Sequence, residues 1–173
     1  MSCRDAVWTC LGKYAVFAGR ASRSEFWWFF LFVIVVSILF SMVDTMLFGS
    51  DPVTGEPNGS LLSGIFQIGM FLPLLAAGWR RLQDSGRPGA YILLPMILSL
   101  VFSLAFLFGV FGFGLMEREG LDPEALTGGA VILGGAGLLA AVIVQIVVAI
   151  LMLWWLTRPS DPGPNDYGPP PAK

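Results

Sequence analysis

The sequence predicts an all-α integral membrane protein with four transmembrane helices and both termini in the cytoplasm. Three observations carry that expectation. First, 55% of the 173 residues are hydrophobic and only 13% are charged, where a soluble domain carries about a quarter charged residues; mean hydropathy is +0.75. Second, four long apolar runs are separated by short polar stretches. Third, nine of the ten basic residues fall before the first run, between the second and third, or after the fourth. Cytoplasmic segments retain Lys and Arg, so these three regions are expected inside. The two intervening loops contain only Arg118 against Asp51, Glu56, Glu117, Glu119, Asp122 and Glu124.

In chain order, residues 1–25 form an N-terminal segment expected at the cytoplasmic interface. Val7, Trp8, Leu11, Ala15 and Phe17 suit the apolar face of a short helix in the headgroup plane, anchored by Trp8 and Tyr14. Ser22-Arg23-Ser24-Glu25 reads as a capping box, in which each side chain meets the other's backbone N–H. The first span is expected at 26–48, about 34 Å if helical, with Trp27 and Trp28 at an aromatic belt. A turn-rich loop leads to a second span at 61–79, with Pro73 suggesting a kink. The stretch 79–89 reads as a charged turn holding Arg80, Arg81 and Arg87. A third span follows at 89–113, with Pro95 as a bend and Gly109, Gly112 and Gly114 fraying its far end. After an acidic loop at 117–127 comes the fourth span, 129–156. Gly129, Leu133, Gly137 and Ala141 share a face, as do Ala130 and Gly134; small residues at this spacing let helices approach closely in lipid. Residues 157–173 form a proline-rich cytoplasmic tail.

The chain contains no histidine, so the commonest general base and metal ligand is missing. Cys3 and Cys10 lack a zinc spacing and read as reduced thiols. With no nucleophile–base pair either, no enzymatic activity, cofactor or metal is expected. Two groups of polar residues remain. Arg20, Arg23, Arg80, Arg81 and Arg87 all lie where helices meet the cytoplasm. Guanidinium forks suit phosphate or carboxylate, so they are a candidate site for anionic lipid headgroups or a partner protein. The structural alternative is that they hold the helix ends inside, with Glu25 and Asp84 as internal partners. Within the spans, Ser37, Ser41, Asp44, Gln67, Ser99, Ser103 and Gln145 form a candidate polar seam. Its plain role is interhelical hydrogen bonding, and its sharper one a solute or proton path.

Three motifs stand in order: Tyr14–Phe29 with its Gly19-Arg20-Ala21-Ser22-Arg23-Ser24-Glu25 centre, Arg80-Arg81-Leu82-Gln83-Asp84-Ser85-Gly86-Arg87, and Pro162-Gly163-Pro164-Asn165-Asp166-Tyr167-Gly168-Pro169. Together they resemble the domain of unknown function 805 family of small bacterial inner-membrane proteins, from about Tyr14 to Pro170. The resemblance implies a plasma-membrane location and about four spans, and no catalytic residue. The family usually has histidine where this chain has Gln83. The tail motif is expected to dock on the arginine turn, with Asp166 pairing Arg81 or Arg87. The function expected is a non-enzymatic membrane component whose cytoplasmic cap binds anionic headgroups or a partner. The alternative is a small oligomeric transporter or channel using the polar seam. Expected partners are membrane lipids and a membrane protein or second copy of the chain, with no nucleic acid.

Overall fold

The computed structural model describes residues 1–55, 57–118 and 123–171, with side chains of 110–118 and 123–134 outside that description. Its helices are α1 (Cys3–Gly12), α2 (Arg23–Phe48), α3 (Leu61–Asp84), α4 (Leu94–Arg118) and α5 (Pro123–Thr157), with a 3-10 segment at Gly89–Leu93. No strand occurs among the described residues. Four segments are long and apolar enough to cross a membrane: Arg23–Phe48, Leu61–Asp84, Gly89–Gly109 and Gly135–Thr157. The chain divides into two compact units, Met1–Ile92 with Trp155–Lys173, and Leu93–Trp154.

In the first unit, α1 starts from a capping box that pairs Ser2 with Asp5. The Ser2 hydroxyl and backbone N–H hold the Asp5 carboxyl below its usual range. Ala6 and Cys10 face inward, while Trp8 is 68% exposed; α1 ends at Gly12, so Ala15 and Phe17, expected on its apolar face, lie beyond it. The core gathers Cys10, Phe26, Phe29, Val33, Ala77, Leu82 and Leu156. Opposite the aromatic rings of α2, Ala76 and Ala77 of α3 are completely buried; small residues there let the helices approach. At the other end of this hairpin, Asp51 accepts from the backbone N–H groups of Val53 (2.7 Å) and Thr54 (2.9 Å), bonds that keep its carboxyl well ionised and fold the loop.

The start of α3 is capped from a neighbouring helix. Ser60, its N-cap residue, makes no side-chain capping bond. Asp44 of α2 supplies it: its carboxylate accepts from the backbone N–H of Leu62 (3.0 Å) and Ser63 (2.9 Å) and from the Ser63 hydroxyl (2.7 Å). These first-turn amides have no partner within their own helix, so a buried carboxylate is well placed there.

Several boundaries differ from the sequence expectation. Helix α3 runs through Asp84 rather than ending at 79, because Arg80 to Gln83 are competent helix formers and their charges are neutralised. The reversal is confined to the residues after it. Arg87 donates to the Leu82 carbonyl and Gly86 to that of Gln83, both at 3.1 Å, with Gly86 at φ +71°; this is a Schellman C-cap, which requires a left-handed residue at that position. Pro95 bends no helix interior: it is the second residue of α4, where its missing N–H costs nothing. Helix α4 continues past Gly109, Gly112 and Gly114 to Arg118, and α5 begins at Pro123.

In the second unit, Gln145 of α5 donates to the Pro95 carbonyl (3.2 Å) and the Ser99 hydroxyl (3.0 Å) of α4. The Ser103 hydroxyl turns back to the Ser99 carbonyl at 2.7 Å. Of the small-residue face on the last span, Gly129, Ala130, Leu133 and Gly134 lie outside the described side chains, as do Glu56, Glu119 and Asp122 outside the described residues.

Candidate functional site

The arginine-rich end of the first unit is a buried ionic cap. Three chain segments converge on the last turn of α3: the approach to α2, the turn itself and the C-terminal tail. Backbone bonds draw them together, Ala21 N–H to the Arg80 carbonyl (3.1 Å) and Asp161 N–H to the Asp84 carbonyl (3.0 Å). The side chains of Arg20, Arg80, Arg81, Glu25 and Asp84 are each no more than 6% exposed. Charges removed from water in this way must be paired and hydrogen-bonded to be tolerated.

Asp84 is the hub. One carboxylate oxygen accepts from Arg20 Nε at 2.9 Å and the other from Arg81 Nη1 at 2.7 Å; the Ser160 hydroxyl also donates to it. Further guanidinium N–H groups of both arginines go to backbone carbonyls. Arg20 reaches those of Asp161 (2.6 Å), Gly163 (2.7 Å) and Gly168 (3.3 Å), so one side chain pins the folded tail. Arg81 reaches Leu156 (3.0 Å) and Arg158. It thereby satisfies carbonyls at the C-terminal end of α5, where a cation is favoured.

A second pair lies beside the first. Arg80 Nη1 meets Glu25 Oε1 at 2.9 Å, and Arg80 Nε donates to the Ala76 carbonyl at 3.3 Å. The capping box expected at Ser22–Glu25 is therefore only half formed. Ser22 accepts from the Glu25 N–H at 3.2 Å, but the Glu25 carboxylate turns to Arg80, because a buried guanidinium is a stronger partner than a backbone amide. The Cys10 thiol sits 3.9 Å from the same carboxylate oxygen. Burial, and then the Glu25 charge, push that thiol up to about 11, so it stays protonated and unreactive. Cys3 is exposed, and both cysteines are free.

The tail docks on the arginine turn through residues other than Asp166. Asn165 Nδ2 donates to the Gln83 carbonyl (2.9 Å) and to Asp161 Oδ2 (3.1 Å), and Asn165 Oδ1 accepts from the Tyr167 N–H at 3.0 Å. Arg81 is already held by Asp84, and Arg87 lies 5.4 Å over the Trp155 ring. Trp155 in turn stacks on Tyr91 at 5.3 Å. An amide that bridges two segments does what the expected carboxylate could not do without adding another buried charge.

Gln83 joins the approach to α2 with α3. Oriented so that both ends of its amide are satisfied, its nitrogen donates to the carbonyls of Gly19 (2.8 Å) and Phe17 (2.9 Å), and its oxygen accepts from Trp79 Nε1 (3.0 Å). The Phe17 ring meets the Trp79 ring edge-on at 5.4 Å. A side chain on Gly89 would come within 2.1 Å of the indole, so glycine there is a packing requirement.

Of the five candidate arginines, the structure therefore brings Arg20 and Arg81 onto Asp84 and sets Arg80 against Glu25, all three out of reach of a headgroup. Arg87 is half-buried, and Arg23 is exposed. The seam residues divide between the two units, Ser37, Ser41, Asp44 and Gln67 in the first and Ser99, Ser103 and Gln145 in the second. Asp44 is consumed in capping α3, Ser99 and Gln145 bond each other, and Ser103 bonds within its helix. Gln67 is exposed, and Ser37 and Ser41 are half-buried. Sequence reasoning missed Trp79, Ser160, Asp161 and Asn165. Asn165 stood inside the tail motif and Trp79 at the edge of the arginine stretch without a role assigned to either, and Ser160 and Asp161 lie in irregular chain with no periodicity to read. Among the described residues no cluster of metal-ligating side chains occurs.

The family described as protein of unknown function, DUF805, matches residues 14–169 of this chain. That interval contains every residue of the cap. Inner membrane protein YhaI of Escherichia coli (strain K12) is 35% identical over 117 residues, 66% of this chain and 91% of that protein. Inner membrane protein YhaH of the same strain is 38% identical over 87 residues, 50% of this chain and 69% of that protein. No solved structure matches.

Proposed function

The chain belongs to the family of proteins of unknown function DUF805, an inner-membrane protein like its relatives, and from that premise we propose that it is a non-enzymatic membrane component whose cytoplasmic cap engages anionic lipid headgroups. The cap and both termini face the cytoplasm in this reading, supported by the nine of ten basic residues in the N-terminal segment, the arginine turn and the tail. One observation carries it. The arginines closest to the core are neutralised by Glu25, Asp84 and backbone carbonyls, and Arg23 stands exposed at the same helix end. The buried set holds the end together, and the exposed guanidinium is left for a ligand at the level of lipid phosphates. The transport alternative lacks comparable support, because the one intramembrane carboxylate of the seam is occupied at the start of α3.

The test is thermal unfolding in nanodiscs. Replacing phosphatidylcholine by phosphatidylglycerol is expected to raise the midpoint, and salt near 1 M to remove most of the gain, since exposed charges are then screened within about 3 Å. Identical midpoints in the two lipids would count against headgroup binding by the cap.

A further inference from the structure

We propose that the α2 face running from Arg23 to Ile34 is a binding site for one anionic phospholipid of the leaflet on the cap side. The inference rests on the cap's proposed engagement of headgroups and gives it a location. An open groove of about 750 Å³ runs along this face, lined by Arg23, Ser24, Trp27, Leu31 and Ile34 among others. Its volume lies within the range of small-molecule sites, ~300–1,000 Å³.

The groove is graded as a phospholipid is graded. Positions 23, 27, 31 and 34 follow the i, i+4, i+8, i+11 spacing that puts side chains on one helix stripe. The groove begins with the Arg23 guanidinium and the Ser24 hydroxyl, passes Trp27 and ends in two aliphatic side chains. Leu31 is 47% and Ile34 39% exposed, so the apolar floor is open along the first unit. From Arg23 to Ile34 is about 16 Å of helix, close to half of a hydrocarbon core of ~30 Å, the reach of one leaflet's acyl chain. A soluble anion would use the polar head and leave the floor empty. A zwitterionic lipid would fill the floor but bring no net charge to Arg23. An anionic phospholipid matches both.

Arg23 is also the one of the five candidate arginines both exposed and shared between this groove and a second, more polar cleft. That cleft is lined by Ser22, Ser24, Ser160 and Asp161. A phosphate at Arg23 would thus have room for a headgroup extending towards the tail.

The experiment places a benzoylphenylalanine at Leu31, reconstitutes the full chain in mixed phosphatidylethanolamine–phosphatidylglycerol vesicles, and identifies photo-adducts by mass. The same probe at Phe71, an exposed position on α3, reports the bulk lipid. At Leu31 phosphatidylglycerol adducts should exceed their share of the bilayer, with the excess falling about fivefold on Arg23→Gln and largely kept on Arg23→Lys. Adducts at Leu31 that follow bulk composition, or an excess that survives Arg23→Gln, would overturn the site. If phosphatidylglycerol still raises the unfolding midpoint while Leu31 shows bulk composition, the site fails and headgroup binding by the cap stands. If both signals are missing, both fail.

Discussion

Replacing Asp84 with alanine is expected to cost about 3–5 kcal/mol of stability, the usual penalty for removing one partner of a buried ion pair. Asp84 has no exposed surface and serves two guanidinium groups at once. Without it, Arg20 and Arg81 are left as adjacent like charges out of water, retaining only their backbone acceptors. The damage should be local before it is global. Arg20 holds the carbonyls of Asp161, Gly163 and Gly168, so releasing it releases the tail. Denaturant unfolding in detergent should show the loss, and limited proteolysis should cut within residues 158–171 well before the spans unfold. Asp84→Asn should behave almost as badly, because an amide that keeps the shape brings N–H groups toward guanidinium donors. An Asp84→Ala protein with wild-type stability and a protected tail would show that the ion pairs are incidental.

The Glu25–Arg80 pair makes a second expectation with the opposite outcome on double substitution. Glu25→Leu alone leaves Arg80 uncompensated, and Arg80→Met alone leaves Glu25 so. Each should lose about 3 kcal/mol or more. Combined, they replace two buried charges by apolar groups beside Cys10, Phe26 and Phe29, a setting where such replacements are often neutral. The double variant should recover to within about 1 kcal/mol of the wild type, a coupling that only interacting residues give. Losses that simply add would mean the two side chains do not act as a pair.

Much of the fold was written in the sequence, because lipid imposes a coarse code. A membrane-crossing helix needs a long apolar run, and four such runs are present. The direction of individual charged side chains was less legible. Arg80 and Arg81 are adjacent in sequence, yet a helix sends neighbours about 100° apart, one toward Glu25 and the other toward Asp84 and the end of α5. Reading 79–89 as a turn concealed this, since in a turn both arginines would face solvent. The Ser22–Glu25 motif correctly marked a helix start but misdirected the glutamate, because a local rule knows nothing of a guanidinium fifty-five residues away. The capping of α3 by Asp44 was illegible for the same reason: the carboxylate comes from another helix, nineteen residues before the Ser63 amide it accepts from. The tail's composition predicted an extended segment and its family-like motif a docked one, but Asn165, not Asp166, makes the contact.

The division of the arginines into a buried, paired set and an exposed one is tested most directly by modifying the folded protein with phenylglyoxal in detergent and mapping adducts by peptide mass. Arg23 should react readily. Arg20, Arg80 and Arg81 should be slower by roughly tenfold or more, since they react only through local opening of the cap, and Asp84→Ala should abolish the protection of Arg20 and Arg81. Modification of Arg80 or Arg81 at the rate of Arg23 in the folded wild type would contradict the buried ionic cap.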